Sequence, residues 1–169
     1  AISGTATVVD DNGSSDQNIG IDKAVDPTSV TLGDGSSGLA SNYVLATSGH
    51  TATVKKRPLT LTVNTLSKVY DGTLDIAGDG ASSGDAGNLT AGGNLVTGDS
   101  IDTAELLFDD VNASAGDKVV TVESVTLENT GGDVTANYSL SLVASTDSTI
   151  EPRDLGLSGS RTYDGTTAV

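Results

Sequence analysis

The chain contains no cysteine, methionine or tryptophan. Without Cys there is no disulfide framework, no thiolate metal site and no cysteine nucleophile. Basic residues are also scarce. Eight Lys and Arg stand against 23 Asp and Glu, a formal net charge of −15 over 169 residues. So acidic a chain does not neutralise a phosphate backbone, which sets nucleic acid aside as a partner and disfavours anionic membrane surfaces. No apolar run approaches the ~20 residues that a spanning helix needs, so no membrane insertion by this segment is expected. No charged-then-apolar leader opens the sequence, and any export signal is expected to lie outside these residues. Aromatics are limited to four Tyr and Phe108, leaving Val, Leu and Ile to supply most of a core. His50 is the single histidine; nothing around it positions a Ser/His/Asp triad, and it reads as an exposed turn residue.

What the chain does hold is an internal repeat. Tyr70-Asp71-Gly72 recurs as Tyr163-Asp164-Gly165, each with a basic residue two positions earlier (Lys68, Arg161) and Thr after it. Asn42-Tyr43 recurs as Asn137-Tyr138, so the two motifs use every tyrosine. Ser29–Leu32 matches Ser124–Leu127, and Val54, Arg57, Leu59 and Leu61 match Ile150, Arg153, Leu155 and Leu157. The spacing is about 95 residues. Nearer the amino terminus, Val8-Val9-Asp10-Asp11 aligns with Leu107-Phe108-Asp109-Asp110.

These anchors place the carboxyl-terminal part of a first repeat in residues 1–57, a complete repeat in 58–152, and the opening strands of a following repeat in 153–169. Both ends are expected to fall inside units of a longer array. Only the equivalent of Ala77 to Asp99 is lacking from a second unit, and that Gly/Ser/Asp-rich stretch reads as a loop.

The local signal has period two. Leu59, Leu61 and Val63 alternate with Thr60 and Thr62, and Tyr138, Leu140 and Leu142 with Ser139 and Ser141. Parity changes between Val122 and Val125, which predicts a bulge or short break near Glu123-Ser124. Thr103–Phe108 is short enough to be ambiguous, but its β-branched counterpart Thr5–Val9 favours a strand. The expected fold is all-β: tandem small antiparallel Ig-like sandwiches, with a β-grasp-like sheet as the alternative. Asp-Gly after Tyr is a turn signal, Gly accepting positive φ. The Tyr ring is expected to cover the end of the core and its hydroxyl to bond backbone.

Several chemistries can be weighed. Asp10-Asp11 and Asp109-Asp110 are paired carboxylates, but neighbours on a strand point to opposite faces, which suits turn capping better than acid/base work. Calcium could find oxygens in Asp10–Gly13, Gly33–Gly35 and Gly78–Gly80, none of which has EF-hand spacing. Solvated turns are the plainer reading, and no cofactor is expected. Lys55-Lys56-Arg57-Pro58 stands at the junction between units and reads as a stiff linker. Lys68 or Lys118 could form a Lys–Asn crosslink, given a nearby Asn and carboxylate.

In the order Lys68-Val69-Tyr70-Asp71-Gly72-Thr73, Asp109-Asp110, Gly116–Val119, Val125–Leu127, Ala136–Leu140 and Ile150–Arg153, the chain resembles YDG repeats. The resemblance implies an extracellular bacterial module found in large secreted or surface-attached proteins, including filamentous-haemagglutinin-like adhesins. It implies no catalytic apparatus, and the motif residues are expected to be structural. A non-enzymatic spacer repeat of an adhesin or surface fibre follows as the leading expectation. Neighbouring repeats would be its partners. Like chains in a fibre, or glycans reached through other domains, are further candidates. A carbohydrate- or calcium-binding module is one alternative. Another is a fibre subunit in which Leu155 to Val169 completes the first copy of a neighbouring chain by strand addition.

Overall fold

The computed structural model describes residues 1–10, 13–36, 38–76, 84–160 and 162–163. The strands are β1 (Ile2–Ser3), β2 (Thr7–Val8), β3 (Gly20–Asp26), β4 (Thr31–Leu32), β5 (Thr51–Val54), β6 (Arg57–Val63), β7 (Ser67–Val69), β8 (Leu89–Ala91), β9 (Ser100–Phe108), β10 (Ser114–Asn129), β11 (Gly132–Asp133), β12 (Tyr138–Val143) and β13 (Ser145–Glu151). Single 3₁₀ turns cover Ala40–Asn42, Asp85–Asn88 and Thr135–Asn137. The chain is all-β, with no α-helix and no helix long and apolar enough to cross a membrane among the described residues.

The chain divides into two compact units. The first comprises Ala1–Thr60, Gly92–Ser100 and Thr126–Ser141. In it β1 pairs antiparallel with β4, β2 with β3, and β3 with β5. The β3–β5 register slips between Gly20 and Lys23, where Asp22 takes φ 51. Asp tolerates this left-handed conformation better than most residues, and the slip has the character of a bulge. The end of β10 turns into β11 (Glu128↔Asp133, Asn129↔Gly132), and β12 runs beside β6. Leu59, Leu127, Val134 and Tyr138 are buried.

The second unit comprises Leu61–Ala91, Ile101–Val125 and Leu142–Val169. Here β6 pairs antiparallel with β8 and β10 antiparallel with β13, and β9 also pairs with β10. Its core is Leu61, Val63, Leu89, Ala104, Leu106, Phe108, Val120 and Ile150. Alternation in β9 is clear: Ala104, Leu106 and Phe108 are buried while the residues between them are not, which makes Thr103–Phe108 a strand.

Three expectations need correction. The sheets are not purely antiparallel: β7 and β13 are parallel, with Thr149↔Ser67 and Ile150↔Lys68 in register. Parallel pairing needs a long connection, and most of the repeat lies between these strands. The Gly/Ser/Asp-rich stretch is not loop throughout. Leu89–Ala91 forms β8 because the inner edge of β6 accepts it (Leu61↔Ala91, Val63↔Leu89) and buries Leu89. Arg57 and Pro58 do not form a linker; they open β6, where proline at a strand start leaves the ladder intact. The parity change near Glu123-Ser124 is present without a break. Buried positions in β10 move from Lys118 and Val120 to Leu127 while the strand continues.

Candidate functional site

The Tyr-Asp-Gly turn lies in the second unit, directly after β7. Gly72 has φ 84, the left-handed conformation expected of it. Asp71 Oδ1 accepts hydrogen bonds from the Thr73 backbone N–H (2.9 Å) and the Thr73 hydroxyl (2.8 Å). It also meets Lys68 Nζ at 3.0 Å. These contacts, the Thr73 backbone bond first, lower the Asp71 pKa to about 2. Lys68 Nζ further donates to Thr73 O (2.8 Å), Thr73 Oγ1 (3.2 Å) and Asp75 O (2.7 Å), and stands 5.4 Å from the centre of the Phe108 ring. A cation over an aromatic face at this range is attractive. The backbone joins in: Phe108 N–H donates to Leu74 O and Tyr70 N–H to Glu151 O, at 2.9 and 2.8 Å.

The weight of the motif therefore falls on residues around the tyrosine. Tyr70 is 40 % exposed, less a core cover than a rim residue. Lys68, buried under the turn, is the anchor, and Thr73 is the third polar partner. The recurrence of a basic residue two positions before Tyr was the available signal for it. Tyr163 is 90 % exposed, while Asp164 and Gly165 lie outside the described residues.

A pH effect follows from Asp71. Its folded pKa is depressed, so its contribution to stability is present above the unfolded value near 3.8 and is lost as pH falls toward about 2. Asp71→Asn is expected to lower stability at neutral pH and to flatten the acid limb of a stability profile between those values, read by urea unfolding at each pH.

The Asn-Tyr pair lies in the first unit, and in both copies Asn ends a 3₁₀ turn that Tyr follows. The Tyr138 hydroxyl donates to Asp99 Oδ2 (2.6 Å) and accepts from the Val96 backbone N–H (3.0 Å). Asn129 Nδ2 donates to Asp99 Oδ1. Burial, then the bond to Asp99, raises the Tyr138 pKa. Asn137 accepts from the Ile19 N–H (3.0 Å) and donates to Asn18 Oδ1 (2.9 Å). Asn42 and Tyr43 have no such surroundings: both are exposed, Tyr43 to 68 %.

Tyr138→Phe strips the Val96 N–H of its acceptor and is expected to cost about 1–2 kcal/mol. Because the folded pKa is raised, the hydroxyl's contribution is full below the unfolded value near 10 and fades as pH rises through the folded one. The gap in unfolding midpoint between wild type and Tyr138→Phe should narrow correspondingly in alkaline buffer.

A third recurring device emerges only from the structure. Asp110 accepts from Asn112 N–H and pairs with Lys118 Nζ at 2.7 Å. Asp16 accepts from Asn18 N–H and pairs with Lys23. The lysine contact is the leading cause of a lowered pKa in both Asp16 and Asp110. Asp16 and Asp110 thus share one arrangement, a backbone N–H two residues on and a lysine ammonium. Asp109 instead accepts from Val119 N–H, so the adjacent carboxylates part company as turn caps.

The remaining candidates resolve in the same way. Asp10 accepts from Ser14 N–H and Asp34 from Ala40 N–H. Asp11, Asn12 and Gly78–Gly80 lie outside the described residues. No group of three His, Cys, Asp or Glu suited to a metal ion occurs among the described residues. His50 Nε2 bonds Ala46 O. The oxygens at Lys68 and Lys118 come from Asp, Thr and backbone, with no asparagine for a crosslink at either ammonium among the described residues. A cavity of about 610 Å³ beside Tyr43 is lined by Ile2, Leu32, Leu39, Val44 and Leu45, with Ser36 and Tyr43 its only polar side chains among the described residues.

Compared with known families, residues 55–149 match the model of the YDG domain. No curated protein and no solved structure matches the chain.

Proposed function

Because the chain belongs to the YDG-domain family, we propose that it is a non-catalytic structural repeat, a spacer in a large extracellular bacterial adhesin or surface fibre. Successive units would pack as small β-sandwiches and project a binding tip. The observation that carries this reading is the parallel pairing of β7 with β13. β7 stands near the start of the complete repeat and β13 at its end. Tension along the polypeptide pulls these strands in opposite directions along their length, so their hydrogen bonds are sheared together rather than peeled singly. Thr149 N–H to Leu66 O and Tyr70 N–H to Glu151 O, both 2.8 Å, are among the bonds loaded. The Tyr-Asp-Gly turn locks the exit of β7 with polar groups already bonded to one another, a use suited to holding rather than to binding.

Single-molecule pulling on the two ends of the chain tests this mechanical role. A resolved unfolding peak that releases the 58–152 segment is expected; yielding with no resolved force would overturn it. Antibody labelling of intact source cells tests the location, and signal confined to lysed cells would sink the extracellular reading.

The exposed Tyr43 at the mouth of a cavity is the observation that favours a carbohydrate-binding module instead. Sugars need several hydrogen-bonding groups beside the stacking ring. The largely aliphatic lining fits an apolar occupant better.

A further inference from the structure

The first compact unit does not stop where the YDG match begins. Residues 55–149 match the domain, yet this unit joins Ala1–Thr60 to Gly92–Ser100 and Thr126–Ser141 from inside it. Two ties cross the boundary within the unit. One is covalent: β5 ends at Val54 and β6 begins at Arg57, so Lys55 and Lys56 alone link them. The other is Asn137, whose Oδ1 accepts from the Ile19 N–H at 3.0 Å and whose Nδ2 donates to Asn18 Oδ1 at 2.9 Å. Ile19 stands just before β3, whose Gly20 pairs with Val54 of β5, so the second tie lies one strand over from the first. A two-residue link by itself leaves the preceding strands free to swivel, and a second point removes that freedom. Both faces of the tie are built beforehand. The Asn18 N–H is held by Asp16, Asp16 by Lys23, and Lys23 Nζ returns to Asn18 O. Opposite, the Asn137 N–H bonds Val134 O, and the Tyr138 hydroxyl is held by Asp99 and the Val96 N–H. A cavity of about 190 Å³, lined by Gln17 and Lys55 on one side and Asn129 and Val134 on the other, lies at this seam. The seam is thus not close-packed, which leaves more of the coupling to the two hydrogen bonds of Asn137.

We propose that the corner formed by Asn137 and Tyr138 is the surface on which the YDG domain docks the β-module ahead of it in the chain, with Asn137 as the latch. What the latch recognises is an Asp-x-Asn turn. It takes one main-chain N–H, which any residue but proline offers, and one side-chain carbonyl, which asparagine supplies. Turn and corner are each held by their own hydrogen bonds, so little is left to order when they meet. The domain itself carries a turn of the same build at Asp110-Val111-Asn112, with Lys118 in the role of Lys23. It thus holds both a corner and a turn, and the partner that fits the corner is a module of its own kind. The strands β3 and β5 and the corner then open as one body, and the edge of the family match is not the edge of the cooperative unit. The inference goes beyond the spacer reading: it concerns which residues fold together, and it stands if that reading falls.

Native-state hydrogen exchange on the full chain, followed amide by amide in low urea, is the test. In the wild type the amides of β3 and β5 are expected to exchange through the same opening as those of the corner, with one urea dependence. A sheet of β2, β3 and β5 with nothing to pack on is marginal, so undocking reads out as faster exchange in those strands. Asn18→Ala removes one bond and should speed β3 and β5 amides by about 10-fold relative to the corner. Asn137→Ala removes both and should speed them by about 30-fold or more. The double variant should match Asn137→Ala alone, because the two side chains act on each other. If Asn137→Ala lowers protection throughout the chain, Asn18→Ala, at an exposed residue, still decides. A wild type in which β3 and β5 already exchange independently of the corner would overturn the proposal. So would variants whose effect stays within the residues flanking position 137, or a double variant whose effects add.

Discussion

Lys68→Met is expected to destabilise the chain by about 3 kcal/mol, a large part of the ~5–15 kcal/mol that holds a typical domain folded. The Lys68 side chain is 7 % exposed, and its ammonium is shared among Asp71, Thr73 and the Asp75 carbonyl. Methionine matches the volume and keeps the packing on Phe108, so the substitution isolates the charge. What it leaves behind is costly: two backbone carbonyls lose a donor, and a carboxylate loses its cation. Asp71 is 27 % exposed and recovers some hydration, which places the effect toward the lower end for a broken buried pair. Lys68→Arg should retain most of the stability, since Arg161 occupies the same position in the next repeat. Urea midpoints at unchanged m-value would measure both. A loss below about 0.5 kcal/mol for Lys68→Met, the range of an ordinary surface change, would show that the ammonium does not hold the turn.

This prediction also marks where sequence reading stops. Alternation alone identifies β6 and β12, because Leu59, Leu61 and Val63, and Tyr138, Leu140 and Leu142, repeat with the pleat, whereas β9 is legible only through the β-branched counterpart Thr5–Val9 of its Thr103–Phe108 stretch. The positive φ of Gly72 is likewise a local necessity of the turn. Lys68 is harder: basic residues are nearly always solvated, and nothing in hydropathy distinguishes a lysine folded under its own turn from one on the surface. β8 is harder still. Three residues between glycines carry no period, and only the edge of β6, distant in sequence, makes Leu89–Ala91 a strand. The parallel β7–β13 pair has no local signature, since strand direction depends on how the chain returns. Asp16 has no mark in the letters around it, and its likeness to Asp110 lies only in the lysine each one meets.

Leu61→Ala and Leu157→Ala make the sharpest contrast available, because the two leucines hold the same repeat position and opposite environments. Leu61 is fully buried on β6, facing the core, with its backbone paired to Ala91. Its truncation removes apolar burial and leaves a cavity, and should cost about 2–5 kcal/mol. Leu157 is 93 % exposed, so the same truncation in the dilute monomer should change stability by no more than about 0.5 kcal/mol. Thermal or urea unfolding at low concentration would read both. A Leu61→Ala effect as small as that of Leu157→Ala would mean that the complete repeat does not depend on β6 at all, and the equivalence between the two segments would fail with it.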